Sequence, residues 1–284
     1  ITELLSQEQV GIYYILLTVL SLLAFGFFNP LGQFYGRHIV HWQQTKNLKN
    51  ATNIMLAFRV MAIFLAVPFA ILVFHVFDYQ RYFSLPEFLV YVIVALVALI
   101  HGVLLSAVNV LVSRVTFIIY MVITLGLGLV VSLVIIQFYQ TAMGWLYGAI
   151  LVQILISIVL YNKVVKTNVF SLPRVKLAFT KKYSRKVFLF IMPVTATLFL
   201  QWGQMASFRL IVEDLYSVDA LAFMAVGMAM SAAVFAAIEG LATQFYMPWY
   251  LKKITNASLV ARTNAWNELA TIMIPIYIGV AIYV

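Results

Sequence analysis

Long apolar stretches separated by short polar segments make up most of the chain. Each is about 20 residues or longer, which is the length that an α-helix needs to cross the hydrocarbon layer of a bilayer at about 1.5 Å per residue. The predicted spans are 10–36, 54–77, 87–108, 115–138, 142–161, 187–207, 218–247 and 266–284. They are too long for strands and lack the alternation of a membrane barrel. The pattern therefore predicts an all-α, polytopic membrane protein with about eight transmembrane helices.

Composition supports the same class. Hydrophobic residues make up 64% of the 284 residues and charged residues 10%, with a mean hydropathy of +1.02. A soluble domain carries roughly 25% charged residues, so this chain could not cover a water-exposed surface. Cysteine is absent, which excludes a disulfide framework, a thiolate nucleophile and a cysteine metal site.

The positive charges indicate the orientation of the helices. Of the 18 Lys and Arg residues, sixteen lie in or beside the alternate segments 37–53, 109–114, 162–186 and 248–265. The opposite loops keep only Arg81 and Arg209 and hold most of the acidic residues. By the positive-inside rule the four basic segments are predicted to be cytoplasmic. The formal charge of +9 is thus attributed to an anionic membrane face, with no nucleic acid as partner.

An internal repeat predicts two lobes. A shift of 211 residues aligns Gln33-Phe34-Tyr35 with Gln244-Phe245-Tyr246, and five other predicted spans separate the two copies. This spacing is typical of parallel six-helix repeats in transporters. We therefore expect an N-terminal lobe at 1–161, a basic linker at 162–186 and the start of a C-terminal lobe at 187–284. Because the chain opens with Ile1 and ends within an apolar run, we also expect both ends to be truncated and the intact protein to have at least twelve helices.

Two segments resemble a known transporter family. In 4–39, an acidic loop with Gly11 and Tyr13 enters a long helix that finishes near Arg37, and 208–254 is similar to the equivalent part of a second half. This pattern resembles the polysaccharide flippase branch of the multidrug/oligosaccharidyl-lipid/polysaccharide exporter superfamily. In that family an Asp commonly precedes the Arg of the seventh helix, whereas here Phe208 precedes Arg209, so no role is transferred to that position.

The resemblance implies a two-lobed protein that rocks between inward-facing and outward-facing states around a central cavity. It implies that the substrate is a polyprenyl-pyrophosphate-linked oligosaccharide, exported across the bacterial cytoplasmic (inner) membrane for surface polysaccharide assembly. Other proteins of that assembly and the membrane lipids are the implied partners, and no cofactor is expected. Export of this kind is a transport function and not an enzymatic one.

Charged residues inside predicted spans are the first candidates for a site, because each costs at least about 2.5–3.5 kcal/mol at mid-bilayer unless it faces a cavity or a partner. Glu239 lies about 13 residues, or roughly 20 Å, from Lys252 along its helix and is a candidate for ion coupling. Its alternative role is a protonated or salt-bridged helix contact. Arg59 either extends its guanidinium to the inner headgroups or faces the cavity, where its planar donors suit a pyrophosphate. One hypothesis pairs Arg59 with Glu239 across the two lobes.

Several uncharged or interfacial residues complete the candidate set. Arg37, Asn109 and Gln201 are candidate substrate-binding residues with Arg59, although helix packing is the default role of such amides. His101 is a candidate for ion coupling beside Glu239, and its alternative state is a neutral imidazole held by a hydrogen bond. Four histidines without paired carboxylates make a metal site unexpected.

Two other functions remain open on the sequence. A multidrug/sodium or proton antiporter of the same superfamily would need an acidic cavity, whereas the flippase needs a cationic one. An intramembrane enzyme of polysaccharide assembly is disfavoured, because the chain shows no nucleophile–base set, carboxylate pair or nucleotide-binding loop. Asn29-Pro30 is predicted to break the first span near its inner end.

Overall fold

A computed structural model describes residues 4–165, 177–232 and 258–283, together with 238, 246 and 253. Helix accounts for 91% of these residues, and none of them lies in a strand. The prediction of an all-α protein is confirmed for the described chain. Contacts divide the chain into two compact units, Ile1–Ala222 and Phe223–Val284.

The helices follow one another with short connections. In chain order they are α1 (Gln7–Leu23), a π-helical segment (Ala24–Phe28), α2 (Asn29–Gln44), α3 (Leu48–Val76), a 3₁₀ turn (Tyr79–Arg81), α4 (Leu85–Ala98), α5 (Ile100–Leu111), α6 (Arg114–Phe138), α7 (Ala142–Val165), α8 (Leu177–Ala206), α9 (Phe208–Leu215), α10 (Val218–Ala232) and α11 (Leu259–Tyr283).

Six spans within the described residues are long and apolar enough to cross a membrane, namely Gln7–Gln44, Leu48–Val76, Leu85–Leu111, Arg114–Phe138, Ala142–Val165 and Arg185–Ala206. They correspond to the first six predicted spans, so the chain is a multi-pass membrane protein. The predicted span 218–247 begins with α10 and continues outside the described residues, and 266–284 falls on α11. The count of eight and the two six-helix lobes stay predictions.

The first span contains a π-helical segment directly before Asn29-Pro30, where the sequence predicted a break. Pro30 has no N–H, so the carbonyl of Gly26 loses the donor that a regular α-helix would supply. The helix responds with the π-helical segment, in which Asn29 N–H bonds the carbonyl of Ala24. The Gly26 carbonyl instead accepts a hydrogen bond from Thr195 Oγ1 of α8 at 3.4 Å. The helix axis therefore continues through Pro30, and α8 is attached at the irregular turn.

Helices α6 and α7 form the closest helix pair of the first unit. A Cβ placed on Gly148 would lie 2.4 Å from Ser132 Cα, so only glycine permits this approach. Ser132 Oγ donates a hydrogen bond of 2.7 Å to the carbonyl of Trp145. Small residues and interhelical hydrogen bonds are typical of helix packing within membranes, where lipid supplies no hydrophobic driving force between helices.

Long-range hydrogen bonds identify the two ends of the first unit. At one end, Gln9 Oε1 of α1 accepts the N–H of Ala142, which starts α7, at 2.8 Å. At the other end, Tyr161 Oη of α7 donates to Asn53 Oδ1 of α3 at 2.6 Å. We call these the Gln9 end and the Asn53 end.

The second unit contains α11, whose Glu268 forms an exposed ion pair with Lys253. Pro275 lies inside this 25-residue helix.

Candidate anion-binding cavity

Helices α2, α3 and α5 line a polar cavity of about 370 Å³ within the first unit. This volume lies within the range of small-molecule sites in proteins. Its polar wall carries Asn29 and Gln33 of α2, Arg59 of α3 and Ser106 of α5. The cavity lies directly after the π-helical segment, where α2 begins.

Three glycines leave the space open. Gly32 and Gly36 are one turn apart on α2, and Gly102 faces them from α5. A Cβ added to Gly36 or Gly102 would meet no atom within 4 Å, so these positions border empty space and not a packed helix contact. A Cβ on Gly32 would lie 3.0 Å from Val103 Cγ2 and 3.5 Å from Arg59 Nη2. The missing side chains thus create the cavity beside the guanidinium.

Arg59 is 2% exposed and is the one charged residue of the cavity wall among the residues that the structure describes. Its Nη2 donates a hydrogen bond of 3.4 Å to the carbonyl of Phe28, and the guanidinium carbon lies 5.6 Å from the centre of the Phe28 ring. Its Nε and Nη1 have no hydrogen-bond partner within the described part of the chain. Among the described residues, no carboxylate lies within 4.0 Å of its nitrogens.

A buried guanidinium without an anion is energetically unfavourable, because removing a charge from water costs several kcal/mol even after relaxation. The five donors of Arg form a planar fork that matches a phosphate or carboxylate. Arg59 is eleven residues into α3, or about 16 Å along the helix from Leu48. Of its two predicted orientations, the structure therefore shows the guanidinium directed at the cavity and the Phe28 carbonyl.

The other predicted substrate-binding residues lie elsewhere. Arg37 is exposed on α2, with its guanidinium carbon 4.9 Å from the centre of the Phe190 ring of α8. Asn109 is exposed on α5 and does not line the cavity. Gln201 is exposed on α8, where its Nε2 lies 3.7 Å from Met205 Sδ. The structure does not bring these three side chains together with Arg59.

The two predicted ion-coupling residues differ in what the structure describes. His101 Nε2 lies 3.1 Å from Thr124 Oγ1, whose own proton is donated to the carbonyl of Tyr120 at 2.7 Å. Thr124 therefore accepts, and His101 must carry its proton on Nε2. This hydrogen bond joins α5 to α6. Glu239 lies outside the described residues, so its role and its pairing with Arg59 stay predictions.

A second buried charge, Glu213 of α9, was not singled out from the sequence. Its side chain is fully buried and forms an ion pair with Arg81, which lies between α3 and α4. Tyr82 Oη donates to the same carboxylate oxygen at 2.8 Å. Burial and this bond to an anion both raise the pKa of Tyr82, so the phenol stays a donor. The second oxygen, Oε2, and the buried Tyr79 Oη have no hydrogen-bond partner among the residues described.

The glycine pair of the cavity carried a signal in the sequence. Gly32 and Gly36 flank Gln33-Phe34-Tyr35 at the four-residue spacing typical of close helix approach or of open space in membrane helices. The remaining wall residues, Asn29 and Ser106, have no distinguishing pattern. No group of three or more His, Asp or Glu that could hold a metal ion occurs among the described residues. Comparison with protein-family models, curated proteins and solved structures found no match to this chain.

Proposed function

We propose that this chain is part of a transporter that moves an anionic, lipid-linked solute across a membrane. The observation that carries the proposal is Arg59, a buried cation beside a polar cavity in a multi-pass helical bundle, with two nitrogens that no described residue bonds. An ionisable residue inside a membrane bundle generally marks a pathway for substrate or ions. A phosphate in the cavity would supply the counter-charge that the described residues do not provide.

In its specific form, the proposal is the flippase function that the resemblance implies. The substrate would be a polyprenyl-pyrophosphate-linked oligosaccharide, whose pyrophosphate binds Arg59 while its sugar hydroxyls reach Gln33, Asn29 and Ser106. The protein would lie in the bacterial cytoplasmic membrane with its basic loops inside, and it would work by alternating access. The π-helical segment before Pro30 suits such a motion, since irregular turns in membrane helices are where bending is localised.

The residues of the cavity support the two alternative functions less well than they support a flippase. A cation-exporting antiporter would place a carboxylate where Arg59 lies, because like charges repel a cationic solute. An intramembrane enzyme would need a nucleophile or general base within hydrogen-bond reach of the bound group. Among the described residues, the wall offers two amides besides Arg59, the hydroxyl of Ser106 and that of Tyr35, which is bonded to Thr52. Transport without chemical conversion is therefore the function that these groups favour.

The experiment measures lipid-linked oligosaccharide on the inner leaflet of cells that depend on this protein. Loss of the protein should cause this intermediate to accumulate, and the wild-type gene should clear it. Arg59→Gln should fail to clear it although the protein reaches the membrane, and Arg59→Lys should retain part of the activity because it keeps the charge but loses the fork. Arg114→Gln, which removes an exposed cation at the start of α6, is the matched control and should behave as wild type.

Two results would refute the proposal. If Arg59→Gln clears the intermediate as wild type does, the cavity is not the path of the anion. If loss of the protein changes drug efflux and leaves the lipid-linked intermediate unchanged, the antiporter function replaces the flippase function.

A further inference from the structure

A second recess of the first unit differs from the Arg59 cavity in chemistry and position. It has a volume of about 530 Å³ and lies between the π-helical segment, α3 and α8. The described residues of its wall are apolar except for Arg185, and we call it the Arg185 groove. Aromatic rings contribute from each of its three sides. These rings are Phe27 of the π-helical segment, Phe58 of α3 and Phe188 of α8.

Helix α3 separates the two sites. Phe58, Ala62 and Leu65 line the groove, and their spacing of four and three residues places them on one face of the helix. Arg59 follows Phe58 by one residue, which turns its side chain by about 100°, and it lines the polar cavity instead. The groove therefore runs about 10 Å along α3 from Phe58 to Leu65 without meeting Arg59.

Contacts along α8 locate the charged side of the groove. Phe190 lies against Arg37 of α2, Thr195 bonds Gly26, and Trp202 Nε1 bonds Ser21 Oγ of α1 at 3.0 Å. Helix α8 therefore runs antiparallel to α1 and α2, and Arg185 lies toward the Asn53 end. In the sequence Arg185 follows the polar residues Lys181, Lys182 and Ser184, and the apolar run of α8 begins at Val187. The Arg185 guanidinium is thus placed where the headgroup of a membrane amphiphile would lie.

A ligand of the Arg185 groove must suit an apolar wall along most of its length and a cation at one end. Lys186 adds a second positive charge next to Arg185, and none of the described residues of the groove wall is acidic. An anionic headgroup is therefore favoured, and Arg prefers phosphate through its planar donors. The volume suits one hydrocarbon chain, whereas the two chains of a glycerophospholipid would exceed it. We propose that the Arg185 groove binds a single-chain lipid phosphate, with the chain along Phe58–Leu65 and the phosphate at Arg185.

The physics of the membrane predicts what selects this ligand. Surrounding lipid is as apolar as the groove, so moving a chain from the bilayer into the groove brings no hydrophobic gain. Selectivity must come from the contact between phosphate and guanidinium and from the fit of one chain. A neutral alcohol with the same chain should consequently bind much more weakly. This site goes beyond the proposed transport function, since its occupancy does not require that the chain be a transporter.

The test uses the full chain in nanodiscs of zwitterionic lipid and a hexadecyl phosphate that carries a diazirine near the middle of its chain. Cross-linking followed by peptide mapping should label α3 between 58 and 65 and α8 between 187 and 191. Excess hexadecyl phosphate should compete, and hexadecanol should not. Arg185→Gln should reduce labelling about tenfold, and Arg114→Gln should leave it unchanged.

A second pair of variants examines the groove itself. Leu65→Trp places a large ring in the groove at a position that is already 59% exposed, so the fold should tolerate it, and labelling should fall severalfold. Val122→Trp makes the same change on the exposed face of α6 and is the control. Labelling that resists Arg185→Gln and Leu65→Trp, or equal competition by phosphatidylglycerol, would overturn the proposal and leave an ordinary lipid contact. Arg59→Gln should keep full labelling, so a failure of the transport function is distinguishable from a failure of this site.

Discussion

Arg59 and Glu213 are both buried charges, with 2% and 3% of their surface exposed, yet their surroundings are opposite. Glu213 is held by Arg81 and Tyr82, and the interaction fastens the segment between α3 and α4 to α9. Arg59 has the Phe28 carbonyl, an aromatic ring and open space. The comparison teaches that burial alone does not identify a binding residue. A buried charge with a protein counter-charge stabilises the fold, and one that faces a cavity without a counter-charge is available for a ligand.

The largest expected effect is a loss of transport, without a loss of stability, when Arg59 is replaced. Arg59→Gln should lower transport on the order of a hundredfold, about 2.7 kcal/mol, because the charge-assisted contacts to the anion are lost. The free energy of unfolding should stay the same or rise, because an uncompensated buried charge disappears. Transport in reconstituted vesicles and unfolding in a denaturing detergent measure the two quantities. If the variant lost both stability and transport activity, Arg59 would be a residue that stabilises the fold, as Glu213 is.

Arg81→Ala should show the reverse pattern. Removal of the cation leaves the Glu213 carboxylate buried without its ion-pair partner, which should lower the free energy of unfolding by about 2 kcal/mol. This figure is at the low end for buried pairs because Arg81 is 41% exposed. Gln80→Ala changes the neighbouring exposed side chain and should cost less than about 0.5 kcal/mol. Equal stability of the two variants would show that the Arg81–Glu213 pair contributes nothing.

Filling the cavity sharpens the comparison without removing a charge. Gly36→Leu should reduce transport about tenfold by occupying space opposite Arg59, and helix propensity should keep the protein as stable as wild type. Gly126→Leu makes the same substitution at a glycine of α6 that also has no atom within 4 Å of an added Cβ, and transport should be unaffected. Should both variants transport normally, the cavity would not carry the substrate.

The smallest expected effect concerns the irregular turn beside the cavity. Thr195→Val removes the donor to the Gly26 carbonyl and should cost about 1 kcal/mol of unfolding free energy. Thr197→Val removes a hydroxyl that bonds within its own helix, to the carbonyl of Pro193 at 3.0 Å, and should cost a few tenths of that. A Thr195 variant as stable as the Thr197 variant would mean that α8 is not held at the π-helical segment by this bond.

The apolar pattern predicted the spans well because hydrophobic length is a local property of the sequence. Helix α3 begins at Leu48, six residues before the apolar span that was predicted to start at 54. Two polar residues of this added segment, Thr52 and Asn53, are buried. The Thr52 hydroxyl lies 2.8 Å from the Tyr35 hydroxyl, and Asn53 accepts a hydrogen bond from Tyr161. Contacts between distant segments of this kind are not visible in a hydropathy window.

The candidate site was only partly predictable for the same reason. Arg59 was identifiable because a cation within an apolar span is costly wherever it points. The grouping of Arg59 with Gly36 and Gly102 depends on the rotation of α2, α3 and α5 about their axes, which the sequence does not specify. Arg37, Asn109 and Gln201 were chosen by residue type and depth, and the structure places them on exposed faces. The pairing of Arg81 with Glu213 required the 3₁₀ turn after α3 to meet helix α9, 132 residues away in the chain.

The central claim is that Arg59 binds an anion in its cavity, and calorimetric titration of the purified chain with inorganic pyrophosphate tests it most directly. The wild-type protein should bind pyrophosphate and be stabilised by it in proportion to occupancy. Arg59→Gln should abolish both effects, and Arg114→Gln should preserve them. Undiminished binding of pyrophosphate to Arg59→Gln would contradict the account.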